Sequence, residues 1–133
     1  MATSLSAGLI VYDILSNSEA VSAIANRIFP VIISEDENVP LPYVCYHRTR
    51  MEQVPVKGLH GVNDTACIVV DCYGKTYAES IELAEAVRSA LDNLFNLVTT
   101  EGITLRSSFM IDAEDFADED GNYVQELTFN LKI

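Results

Sequence analysis

Residues 64–94 read DTACIVVDCYGKTYAESIELAEAVRSALDNL, and the change of rhythm within them decides the fold class. From Asp64 to Tyr73 apolar side chains fill both alternating sets of positions, with Ile68, Val69 and Val70 at the centre. A strand apolar on both faces belongs inside a sheet and is covered on each side. Gly74-Lys75-Thr76 ends it. Thr76 and Glu79 match the T-x-x-E capping box that opens a helix. Behind it Tyr77, Ile81, Ala84, Val87, Leu91 and Leu94 recur at steps of three or four, which predicts one helical face against the sheet. Glu79, Glu82, Glu85 and Arg88 are left for water.

Outward toward the N-terminus, Val54 to Asn63 holds Gly58 and Gly61 and reads as an exposed connection. Before it, Tyr43 to Glu52 is a strand that starts apolar on both faces and turns polar at His47, Arg48, Thr49 and Arg50. Pro40 and Pro42 hold the preceding chain extended. Pro30 lacks a ladder donor, so the run Ile28 to Ile33 is an edge strand or an irregular one. Two short helices come first, Leu5 to Leu15 and a second that Ser18 caps and that runs through Ala25.

Toward the C-terminus two strands alternate. Ile103, Leu105, Ser107, Phe109 and Ile111 form the apolar set of one; Tyr123, Gln125, Leu127, Phe129, Leu131 and Ile133 form that of the other. Asp120-Gly121-Asn122 has the chemistry of a hairpin turn between them. The expected fold is therefore α+β. A mainly antiparallel sheet carries one long helix and two short N-terminal helices and ends in a C-terminal β-hairpin.

A length of 133 residues is one domain's worth, so residues 1–133 are expected to form a single domain. At 49% hydrophobic and 21% charged the chain can build a core without disulfide staples. Cys45, Cys67 and Cys72 are odd in number and contain no C-x-x-C pattern, which argues against a disulfide framework and a structural zinc site. They read as small buried hydrophobes of a protein in a reducing compartment. The apolar stretch Leu9 to Tyr12 is too short to span a bilayer, Asp13 interrupts it and no basic residue precedes it, so neither a signal peptide nor a membrane anchor is expected. Eight basic against 20 acidic residues give a formal net charge of −12. Nucleic-acid binders neutralise phosphates with Lys and Arg, and this chain has few. An acidic wall past which DNA slides is compatible with the same charge.

Within 112–120 lie Asp112, Glu114, Asp115, Asp118, Glu119 and Asp120. A calcium loop needs Gly at its sixth and Glu at its twelfth position, and Gly121 falls out of that register. Acid–base use of paired carboxylates requires burial to separate them, which a hairpin tip does not supply. The stretch reads as a solvated turn or a surface for docking a partner, ahead of a metal or catalytic site. His47 and His60 lack an H-E-x-x-H pattern, and no G-x-S-x-G elbow is present. Cys45 and His47 share a strand face about 7 Å apart, too far for a thiol–imidazole pair. No enzyme is indicated. Arg48, Arg50 and Lys57 cluster where the strand leaves the core, either as solubilising charge on an exposed arm or as a docking surface for acid, including the acidic stretch of an identical subunit.

Arg27-Ile28-Phe29-Pro30 leads to Pro40, Pro42 and Tyr43; an apolar strand ends in Asp71-Cys72-Tyr73-Gly74; a capped helix holds Glu82-Leu83-Ala84-Glu85-Ala86-Val87-Arg88; a hairpin follows. In this order, over nearly the whole chain, the sequence resembles the tail-completion or tail-terminator (head–tail joining) proteins of long-tailed bacteriophages and prophages. The resemblance implies a non-enzymatic structural protein that forms a ring, commonly a hexamer. Such a ring caps the tail tube, meets the tail-tube protein and the head connector protein, and lets DNA pass without specific binding. It implies no cofactor and no membrane, with assembly in the bacterial host cytoplasm and a final place at the head–tail junction of the virion. It carries over no catalytic residues. A small intracellular adaptor or binding domain, or another head–tail connector component, is the alternative.

Overall fold

The computed structural model describes residues 4–25, 27–31, 40–52, 64–100 and 102–133. After a 3-10 turn at Ser4–Ser6 come helices α1 (Ala7–Ser16) and α2 (Glu19–Ile24) and strands β1 (Ile28–Pro30), β2 (Tyr43–Glu52) and β3 (Thr65–Gly74). Helix α3 (Tyr77–Leu91) and strands β4 (Leu94–Val98), β5 (Thr104–Ala117) and β6 (Tyr123–Lys132) follow. The strands form one sheet in the order β1-β2-β3-β6-β5-β4. β1 pairs parallel with β2, and every other neighbouring pair is antiparallel. The mixed α+β class follows from the sequence, and β3 is central, as its apolar run requires.

The core lies on one face of the sheet. Ile10, Val11 and Leu15 of α1, Val21 of α2 and Leu83, Val87 and Leu91 of α3 are fully buried there. They pack on Val44, Ile68, Val70, Phe129 and Leu131 of the strands. Cys67 and Val69 point to the other face and are also buried, at 6% and 7% exposure, yet lie outside that helix-covered cluster. All three cysteines are buried and none is disulfide-bonded. Both predicted caps form: Ser18 Oγ accepts from the Val21 N–H at 3.3 Å, and Thr76 Oγ1 accepts from the Glu79 N–H at 3.1 Å. Glu79 Oε1 completes the box from Lys75 N–H at 2.9 Å, one residue earlier than the usual donor.

Four expectations are corrected. First, the buried stripe of α3 is Ser80, Leu83, Ala84, Val87 and Leu91, while Tyr77 and Ile81 are exposed. The cause is Gly74: a Cβ there would lie 2.6 Å from Ser80 N, so α3 rests directly on β3 and turns its small Ser80 inward. Second, Leu94 is not helical; α3 stops at Leu91 and an additional edge strand, β4, begins. Asn93 and Asn96 adopt left-handed conformations (φ 58° and 50°), which asparagine tolerates and which interrupt any readable alternation.

Third, β5 does not bury Phe109 and Ile111. Ser108 faces the core instead and donates to Leu91 O at 2.6 Å, and a register shift between Met110 and Asp112 resets the alternation. Fourth, β5 runs on to Ala117, so Asp112, Glu114 and Asp115 belong to a strand and not to the hairpin tip. The edge strand stops at Pro30, short of the expected Ile33, with Val31 already turned out of it at φ 65°; residues 32–33 and the connection Val54 to Asn63 fall outside the described residues.

Candidate functional site

Directly paired residues of antiparallel strands project to the same face. On the face away from the helices, three rows cross the sheet from β2 through β3 and β6 to β5: Tyr43–Tyr73–Val124–Phe116, Cys45–Asp71–Glu126–Glu114 and His47–Val69–Thr128–Asp112. Tyr43 and Tyr73 stack with ring centroids 4.5 Å apart. The middle row sets three carboxyl groups side by side. Asp71 Oδ1 is buried and accepts no hydrogen bond among the described residues. Burial above all, then the charge of Glu126 and a hydrogen bond to it, push the Asp71 carboxyl up to about 7. Burial also raises the phenols of Tyr73 and Tyr43. No motif marks the pairing of Asp71 with Glu126; the one trace in the sequence is a charged residue inside an otherwise apolar strand.

Strand alternation divides the acidic stretch. Asp112 and Glu114 point to the open face. Asp115 points to the helix side, where its Oδ2 accepts from the Tyr77 hydroxyl at 2.5 Å. Asp118 serves the turn: Oδ1 accepts from the N–H groups of Asp120 and Asn122 at 3.0 and 2.8 Å, and Oδ2 from Asn122 Nδ2 at 3.2 Å. Glu119 and Asp120 are exposed at the tip, where Gly121 takes φ 79°. An open depression of about 550 Å³ beside β5 is lined by Ala113, Glu114, Asp115, Phe116 and Gln125. Among the described residues no group of three or more His, Cys, Asp or Glu is arranged to hold a metal ion.

The basic residues are separated as well. A bulge between Arg48 and Arg50 puts them on opposite faces, with Arg48 paired to Ile68 and Arg50 to Cys67. Arg48 Nη1 donates to Leu5 O at 3.3 Å, and Arg50 forms an ion pair with Glu52 at 3.4 Å. Lys57 lies outside the described residues. A cation that drew no attention in the sequence as a site, Arg27, joins two of the quoted motifs: its Nε donates to Pro40 O at 3.0 Å and its Nη2 to Pro42 O at 3.4 Å. That fork seats β1 beside the start of β2.

Large apolar side chains remain uncovered in two places. Phe95, Leu97 and Val98 of edge strand β4 and Phe109 of β5 are exposed, and Phe95 and Phe109 meet edge to face at 5.2 Å. Leu5, Leu9 and Tyr12 form a stripe along the outside of α1 and the turn before it. No described helix is long and apolar enough to cross a membrane.

The arrangement is that of a sheet with helices on one side, a fold shared with solved structures. One such match is a chain of the virion of a native gene transfer agent (GTA) particle: 20% identity, 92% of this chain and 90% of that chain covered, TM-score 0.74. Another is the bacteriophage SPP1 gp17 protein, with 18% identity, 98% and 90% coverage and a TM-score of 0.61. At these identities the likeness is one of fold. No protein-family model matches the chain, and no curated protein does.

Proposed function

We propose that this chain is a structural protein of a phage or prophage particle that caps the tail tube and joins tail to head as a ring of identical copies, with no chemical step. The observation that carries the reading is the whole-chain fold likeness to a virion component and to a bacteriophage protein, reached independently of the motif order. The exposed Phe95–Phe109 pair, with Leu97 and Val98 exposed on the same edge strand, supports it, because exposed apolar side chains at a sheet edge suit contact with other chains. The charge of −12 suits a conduit past which DNA slides. Deleting the gene from the phage or prophage that encodes it is expected to leave filled heads unattached to tails, with tails irregular or overlong in electron micrographs. Normal tails joined to heads would overturn the reading, and a loss of DNA packaging instead would favour another connector component.

A further inference from the structure

We propose that Asp71 and Glu126 share one proton across the seam between β3 and β6 and so form a pH-sensitive latch in the middle of the sheet. The latch is independent of the assembly reading. Its basis is geometric. The two residues are direct partners in the antiparallel register of the two central strands, and Glu114 sits opposite Glu126 on the next strand. Facing carboxylates this close repel unless one is protonated, whereupon its hydroxyl donates to the other. Asp71 Oδ1 is buried and receives no donor among the described residues, so that oxygen has no cationic or amide group to compensate a charge.

The groups that face the pair from each neighbouring strand are consistent with this. From β2 they are Cys45, directly opposite Asp71, with Tyr43 and His47 one row to either side. From β3 itself comes Tyr73, and from β5 Glu114 with Asp112 one row away. Asp118 and Asp120, in the turn, act on the tyrosines of the adjacent row. Apart from His47, none of these can supply a positive charge. Arg50 lies farther along the same face and is paired with Glu52.

Burial and Glu126 raise the Asp71 carboxyl to about 7, against about 3.9 in an unfolded chain. The folded state therefore holds a proton that the unfolded state has lost between those two values. The stability this proton contributes is fully present below about pH 4 and falls as the pH rises toward about 7, by up to about tenfold in the folding constant per pH unit. Solvent reaches part of the pair, which screens the repulsion and narrows that window. Above that window the proton has left to solvent and two charges face each other across the seam.

Carbon-13 NMR of the side-chain carboxyls in the intact protein tests the latch. The Asp71 carboxyl should titrate near neutral pH, as a step that belongs to the pair and not to one residue alone. If both titrate near 4, the proposal is wrong. Denaturant unfolding from pH 5 to 8 gives a second readout: Asp71→Asn keeps a donor toward Glu126 and should flatten the fall in stability seen in the unaltered protein. A variant that keeps the original slope would overturn the latch. Should Asp71→Asn fail to fold, Glu126→Gln, which ought to bring the Asp71 titration down, takes its place; an unmoved Asp71 titration would likewise exclude a shared proton.

Discussion

A Cβ on Gly74 would lie 2.6 Å from Ser80 N and 2.9 Å from Ser80 Cα, so Gly74→Ala must push the first turn of α3 away from β3. Ser80 has no slack to absorb the push. It is fully buried, its Oγ donates to Tyr77 O at 2.7 Å, and it accepts from Gln125 Nε2 of β6 at 3.3 Å. Overpacking of this kind costs about 1–3 kcal/mol. Gly74→Ala should lower the denaturant midpoint accordingly without changing the slope; an unaltered midpoint would mean that the helix start shifts freely. Asp92 shows a comparable economy at the other end of α3. One carboxylate oxygen accepts from Met110 N–H at 2.9 Å and the other from Arg88 Nε at 3.3 Å. The bond from Met110 is the main cause holding this carboxyl below its ordinary range.

Among the elements, β4 is the one whose exposed side chains have most to say about contacts. It ends the sheet, its outer backbone groups have no strand partner among the described residues, and Phe95 and Val98 are 58% and 62% exposed. Bare apolar edges invite pairing with another chain. Phe95→Asp should therefore weaken self-association by at least about tenfold, roughly one buried aromatic's share of an interface, while the melting temperature stays within a degree or two. Sedimentation or light scattering at matched concentrations checks this. Unchanged association would move the contact to the stripe of Leu5, Leu9 and Tyr12.

For the whole molecule, charge sets how copies approach one another. Each carries −12, and the two described arginines expected to answer the acidic stretch are engaged within the subunit, Arg48 on Leu5 O and Arg50 on Glu52. Repulsion should then govern. Salt shortens the reach of like charges to about 8 Å at physiological ionic strength, so association should strengthen from low to moderate salt, read by light scattering across a salt series. Association that weakens with salt would restore Arg48, Arg50 and Lys57 as contacts to the acids of a neighbouring copy. A tight DNA complex is not expected in the same buffers, because too few cations are present to neutralise phosphates.

What could be read from the residues alone was local. The caps at Ser18 and Thr76, the limits of β2, the edge or irregular place that Pro30 leaves to β1 and the turn at Asp120-Gly121-Asn122 each follow from side-chain chemistry within a few positions. The central place of β3 followed from its doubly apolar run, and the acidic balance from counting. Tertiary structure decided the rest. It rotated α3 so that Leu83 and Ser80 face the sheet, because Gly74 allows a close approach. It made β4 a strand despite two left-handed asparagines, and a bulge sent Arg48 and Arg50 to opposite faces. It also set Asp71 against Glu126, residues distant in sequence that meet only through the register of β3 on β6. Periodicity tells which side chains of one segment share a face; which segment lies beside it, and in what register, is settled by packing the whole core at once.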